Sequence, residues 1–328
     1  MKVAQLLEMR RGNWQELEVL CLRFQSRSRS KLTALEVARF SDLYRATCAD
    51  LALADAYQLP PDTVRYLHQL VGRAHNQLYR SRPFDTQRWA KILLHDVPRC
   101  IFRDRCVHAA FVLFWGVFLL SAVLAYSKTL WPTFADDVIG QDGIEQLETN
   151  YREPLRDRPY SVNVSMAAFY ISHNTGIGLK CFVGGLLIVP GLFITIFNAG
   201  FLGACFGYMA RPDVAAGRNF FEFVTAHGPF ELTAIVLAAG TGLRLGVSLI
   251  RTGGYVRGDS LVLAAREAMP MMGASMVLFT LAAFTEAFIS PTSLPYWIKA
   301  GVALFDSGLL TFYFVVLGFP RRSDDATG

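Results

Sequence analysis

The sequence predicts an all-α chain: a polytopic membrane helical bundle of five to six spans, preceded by a small helical bundle outside the bilayer. Three observations predict it. Apolar residues make up 52% of the 328 positions, with 25 Phe among them, and they are concentrated after residue 106. There they form uncharged runs such as Ala109 to Ala125, "AAFVLFWGVFLLSAVLA", close to the length that crosses a hydrocarbon core. The residues ahead of these runs are charged instead, and carry their apolar side chains at helical spacing.

Residues 1–82 read as a cytoplasmic three-helix domain. The opening "MKVAQLLEMRRGNWQELE" is too charged for a signal peptide. Trp14, Leu17, Leu20, Cys21 and Phe24 share one helical face, which ends in the polar linker "QSRSRSK". A second helix opens with Thr33 and Glu36 at capping-box spacing, where hydroxyl and carboxylate satisfy free backbone N–H groups. Its apolar face is Leu35, Phe40, Leu43, Tyr44, Thr47 and Leu51. The third follows "LPP", since proline suits a first turn, and carries Val64, Leu67, Leu70, Val71, Ala74 and Leu78. Three such stripes can bury one another.

Residues 83–106 mix Arg and Lys with Trp89, Ile92 and Leu93, and are predicted to lie in the inner headgroup region until Pro98 turns the chain into the first span. The transmembrane domain covers 107–320, with spans near 107–126, 176–197, 229–250, 269–290 and 297–319, an outer loop at 127–165 and a tail at 321–328. A re-entrant or spanning segment at 198–210 is the hardest part to place. The stretch from Ala167 to Ala210 is too long for one straight span, and Pro190-Gly191 interrupts it. Non-helical backbone at membrane depth requires protein or a water-lined cavity around it.

Charge sets the expected orientation. Residues 1–106 carry 18 Lys and Arg against 11 Asp and Glu, whereas the loop 127–165 carries 4 against 7. Basic residues accumulate on the cytoplasmic side, so the first span should run from inside to outside. Five spans would put Arg251, Arg257, Arg266 and the carboxyl terminus outside; six would put them inside, as the charge rule prefers. The basic balance thus speaks for topology and for anionic lipid headgroups, with no role for nucleic acid. The 6 cysteines form no CxxC and avoid the outer loop, which points to free thiols.

Ionisable groups inside a bilayer usually face the bundle interior and pair. Lys180, Arg244, Glu286 and Asp306 are the candidates for an intramembrane relay, the alternative being structural hydrogen bonds across helices. Glu231 and Arg244 are thirteen residues apart, about 20 Å along a helix, and cannot pair. Glu231 is expected to find Lys180 or a backbone end. His227 and Glu231 share a helical face, and a zinc site built on them would need a third ligand from His173 or Glu222. Pro229 favours a structural reading, in which His227 caps a helix and Glu231 complements its positive end. Gly200, Gly203 and Gly207, and Gly242 with Gly246, have small-xxx-small spacing, suited to packing within the chain or in a homo-oligomer.

Two stretches, "FYISHNTGIGLKCFVGGLLIVPGLFITIFNAGFLGACFG" and "FFEFVTAHGPFELTAIVLAAGTGLRLG", resemble the stage II sporulation protein M family. The likeness rests on Asn174, on Asn198 with Gly200 and Gly203, and on the His-Gly-x-x-Glu-Leu run at His227, Gly228, Glu231 and Leu232. "YLHQLVGRAHNQLYR" resembles the longer, standalone members, and His173 stands where a second asparagine is expected. The resemblance implies an all-helical protein of the bacterial inner membrane, without a cofactor. It makes Asn174, Asn198, His227 and Glu231 a motif cluster, and it implies cell-wall-related protein partners.

No catalytic set, metal or cofactor is expected. The leading expectation is a non-enzymatic scaffold that assembles envelope-related partners, the helical domain serving as docking surface. A transporter or channel for a small solute or lipid is the alternative. An intramembrane metal-dependent hydrolase using His227 and Glu231 ranks last.

Overall fold

The computed structural model describes residues 8–26, 33–78, 86–156 and 158–320, and every regular element among them is helical. The tail 321–328 and most of the linker after Phe24 lie outside the described residues. Two compact units are present, residues 1–85 and 86–328.

The first unit holds α1 (Arg11–Ser26), α2 (Ala34–Ala56) and α3 (Pro61–Leu78). Helix α2 begins with the anticipated capping box: Glu36 N–H donates to Thr33 Oγ1 at 3.2 Å, and Thr33 N–H donates to Glu36 Oε2 at 2.9 Å. Trp14, Leu17 and Leu20 of α1 meet Phe40 and Leu43 of α2 and Leu67, Leu70 and Ala74 of α3 in one core. Each fully buried Leu there contributes roughly 1.5–3 kcal/mol. Leu35 departs from the predicted face. It is 82% exposed, because it sits in the first turn of α2, ahead of the part that meets the other helices. Asp50 is a buried polar residue that the pattern did not flag; Trp14 Nε1 donates to it at 2.9 Å, and Arg10 pairs with it.

The second unit starts with α4 (Thr86–Lys91), a π turn (Ile92–Asp96) and α5 (Val97–Arg103). Helix α5 packs into the main apolar core through Val97 and Ile101, while Trp89, Leu93 and Leu94 ahead of it are exposed. Pro98 does not turn the chain, because it sits harmlessly in the first turn of α5. The turn comes at Asp104, whose extended backbone ends α5 and whose carboxylate caps α6 (Arg105–Tyr126), accepting from Cys106 N at 2.8 Å and Val107 N at 3.0 Å. We call the end of the bundle where α6 begins the near face, and the opposite end the far face.

At the far face, α7 (Phe134–Ile139) and α8 (Gln141–Tyr151) occupy the predicted outer loop, and α9 (Tyr160–Leu186) already starts within it. Helix α10 (Val189–Met209) follows directly, then α11 (Gly217–Val224), α12 (Gly228–Ile250), α13 (Arg257–Phe288) and α14 (Tyr296–Thr311), which continues as a π turn over Phe312–Val316. The expected division into a span at 176–197 and a further segment at 198–210 is therefore incorrect. The chain breaks at Leu187–Ile188, where Ile188 takes a positive φ of 58°. Pro190 falls in the first turn of α10, where its missing N–H is harmless. The tight reversal needs Gly191, since a Cβ there would come within 2.4 Å of the Gly185 backbone. Helix α13 likewise begins twelve residues before the expected 269, passing through Pro270.

Five of these helices, α6, α10, α12, α13 and α14 with its π turn, are long and apolar enough to cross a membrane. Helix α9 is less apolar but covers the same depth. It meets α13 at Asn174 beside Glu286 near the far face, and meets α12 at Gly185 against Gly242 and Gly246 near the near face. Helix α14 starts with Tyr296 against Thr225 and ends where the π-turn Tyr313 donates to the Leu93 carbonyl at 2.5 Å. Six helices thus run between the faces, and residue 320 returns to the face where α6 began. Helix α12 is the most buried of the apolar five and α14 the least.

Candidate functional site

The start of α12 builds the site. His227 is its N-cap residue and Pro229 lies in its first turn, so His227 and Glu231 sit one turn apart on the same side. The His227 side chain does not cap the helix, however. Its Nδ1 hydrogen-bonds Ser290 Oγ at 3.0 Å, just beyond the end of α13, which turns Nε2 toward Glu231 Oε2 at 3.7 Å. Glu286, one turn from the end of α13, completes a group of three whose ligating atoms all lie within 4.8 Å of one another. His227 is 5% exposed and Glu286 9%. Asn174 of α9 is adjacent to the Glu286 carboxyl, yet Asn174 Nδ2 and Glu286 Oε2 both lack a hydrogen bond of ordinary length.

A shell closes over this group at the far face. Tyr151 ends α8 there, and burial pushes its hydroxyl up, with the nearby Glu286, Tyr170 and Glu231 adding to the shift. Arg158, just before α9, lies beside Tyr170 and stands over the Phe223 ring at 5.9 Å. The loop reading of 127–165 gave no sign of Arg158, because its role depends on α9 beginning only two residues later.

The proposed third ligands lie elsewhere. His173 is exposed and stacks on Phe169, with ring centroids 5.6 Å apart. Glu222 is held by Arg156 at 2.8 Å and Arg218 at 3.3 Å. Burial raises the Glu222 carboxyl, but the bonds and charges of the two arginines outweigh this and hold it below its ordinary value. Asn198 does not join the motif cluster either, since its Nδ2 donates to Ile194 O of its own helix at 2.8 Å.

The four relay candidates are scattered. Lys180 is exposed on α9 and is no partner for Glu231. Arg244 is at the near face, paired with Asp104 and with Glu267 of α13. Asp306 is buried on α14 with Oδ2 unsatisfied, while Lys299 on the same helix donates to Ser290 O at 2.6 Å. Only Glu286 joins the polar group. The small-xxx-small glycines are used inside the chain: Gly203 and Gly207 face Phe118 and Ala122 of α6, and Gly242 faces Phe182 of α9.

Beside the polar group, an apolar crevice of about 770 Å³ runs between α6, α12 and α14. It reaches from Phe102 and His108 at the near face, past Trp115 and Phe118, to Thr225 and Pro229 at the far face.

The family model described as Stage II sporulation protein M matches residues 109–291, a stretch that contains His227, Glu231, Glu286 and Asn174. A domain of unknown function (DUF8413) matches residues 4–80, nearly the whole first unit. No curated protein and no solved structure matches the chain.

Proposed function

The chain belongs to the stage II sporulation protein M family, and from that premise we propose that it is a non-enzymatic scaffold of the bacterial inner membrane, assembling envelope-related partners. One observation carries this reading. The ionisable groups of the bundle that gather with one another do so at its two faces, Arg244 with Asp104 and Glu267 at one end and His227, Glu231 and Glu286 at the other, while Asp306 stands apart from both, midway along α14. Toward the Arg244 end, helices meet through glycine at backbone distance, as at Gly185 against Gly242 and Gly240 against Val107. A proton or ion relay needs polar groups at successive depths, and this arrangement favours a rigid anchor instead. The soluble three-helix unit then supplies the docking surface.

Orientation follows from charge. With six crossings, the 18 basic residues of 1–106 share a side with Arg251, Arg257 and Arg266, and the positive-inside rule assigns that side to the cytoplasm. Helices α7, α8 and α11 then face outward, and the soluble unit that docks partners lies on the opposite side. The test is co-purification from membranes after chemical crosslinking, comparing the full chain with one lacking residues 1–85. The truncated chain should still insert but lose its partners; an unchanged partner set would overturn the reading.

A second reading, a carrier for a lipid, is favoured by the crevice between α6, α12 and α14, whose walls are almost wholly apolar. Native mass spectrometry of the purified chain with added phospholipid, and a fluorescent-lipid translocation assay in vesicles, test it. The absence of both lipid retention and accelerated translocation would overturn it.

A further inference from the structure

We propose that His227, Glu231 and Glu286 hold a divalent metal ion of the zinc or manganese class, which pins α12 to α13 at the far face. The inference stands apart from the scaffold reading. Two carboxylates from different helices converge on one imidazole, with all three ligating atoms within 4.8 Å of one another. Metal–ligand distances of about 2.0–2.2 Å put the ligand atoms of a tetrahedral sphere roughly 3.4 Å apart, so a closure of about 1.4 Å at most separates this geometry from a coordination sphere.

Three further observations point to a ligand. Glu286 is 9% exposed, and its Oε2 has no hydrogen-bond partner. Asn174 is 4% exposed, and its amide approaches the Glu286 carboxyl without reaching ordinary hydrogen-bond length. Reversing the ends of that amide presents its oxygen as a fourth donor. Finally, His227 Nδ1 is engaged by Ser290 Oγ at 3.0 Å while Nε2 faces Glu231. With Nδ1 as the donor, the Nε2 lone pair points at the carboxylates, and such outer-shell support is the usual partner of a ligating histidine.

Electrostatics points the same way. Two carboxylates drawn together away from water repel, and a buried charge needs a partner or a metal. Arg158 acts on Glu286 from one side, and a dication at the centre would act on both carboxylates at once. One imidazole with carboxylate and amide oxygens suits zinc or manganese better than calcium, which takes oxygen ligands alone.

The test uses the full chain, purified in detergent, freed of any affinity tag and stripped with a chelator, then titrated with Zn²⁺ alone. One zinc should bind per chain. Glu286→Gln should weaken it at least 10-fold, and Ser290→Ala, which leaves every ligand in place, by roughly 10- to 100-fold. Wild-type protein that binds no zinc, or a folded Glu286→Gln chain that binds it as wild type does, overturns the proposal. Should a variant fail to fold, zinc-edge X-ray absorption of the wild-type protein decides. A shell of one imidazole nitrogen with oxygens supports the site; sulfur or a second imidazole overturns it.

Discussion

Arg244 of α12 grips Asp104, the residue that also caps α6. One carboxylate thus starts a helix with Oδ1 and ties it to its neighbour with Oδ2. The two roles can be separated. Asp104→Asn keeps the cap and loses the charge, whereas Asp104→Ala loses both. Thermal melts in detergent should rank wild type above Asn and Asn above Ala. The last step should be about 1 kcal/mol for the cap, and the first roughly 1–2 kcal/mol for the lost charged hydrogen bond, since Arg244 keeps Glu267.

Glycine contacts should be intolerant of even a methyl group. A Cβ on Gly185 would lie 2.5 Å from the Gly242 carbonyl carbon, so Gly185→Ala must push α9 from α12. A loss of about 1–3 kcal/mol or more is expected. Gly72 in the exposed middle of α3 has nothing within 4 Å, and Gly72→Ala should stabilise the soluble unit by roughly 0.5–1 kcal/mol. Equal effects from the two substitutions would contradict the packing described.

Acid should loosen the first unit. The Arg73 hydrogen bond holds the Glu18 carboxyl below its ordinary value of 4.5, and the Arg39 hydrogen bond does the same for Glu16. A lowered folded value means the stabilisation is present above about pH 4.5 and is lost as pH falls through the folded value. Both pairs are largely exposed, so the effect is modest and screened by salt. Urea midpoints of a 1–85 fragment should fall below pH 4.5, with a shallower slope in Arg73→Met.

Asp306 offers a different kind of test. Its Oδ2 is buried on α14 and has no hydrogen-bond partner among the described residues. Asp306→Leu should leave stability unchanged or raise it, since removing an unpaired buried polar group relieves its desolvation. A clear fall in melting temperature would mean that the carboxylate has a partner on which the bundle depends.

Much of this fold was legible in sequence. Thr33 with Glu36, the stripe of Leu67, Leu70 and Ala74, and the apolar runs are local patterns, and local patterns survive translation into helices. The break at Ile188 is not legible, because a proline inside an apolar run reads as an interruption, whereas Pro190 stands in the first turn of α10. Half the site was readable, since His227 and Glu231 lie on one helix. Glu286 was visible only as a charge in a run; its place depends on the antiparallel pairing of α12 with α13, seen where Ser275 Oγ donates to Ala234 O at 2.7 Å. Depth within the bilayer was the missing coordinate, and sequence distance is a poor substitute for it.

The two-residue reversal at Leu187–Ile188 has a consequence for biosynthesis. Helix α9 carries Asn174 and Lys180 and is not among the five helices apolar enough to cross by themselves, so lipid alone gives it little reason to leave the translocation channel. Helix α10 is strongly apolar and follows with no slack between them. The two must therefore partition together as a hairpin, α10 drawing α9 in behind the ribosome. Lengthening that reversal with a flexible insert should leave α9 stranded on the far side, where an engineered glycosylation or protease site within it would record the failure.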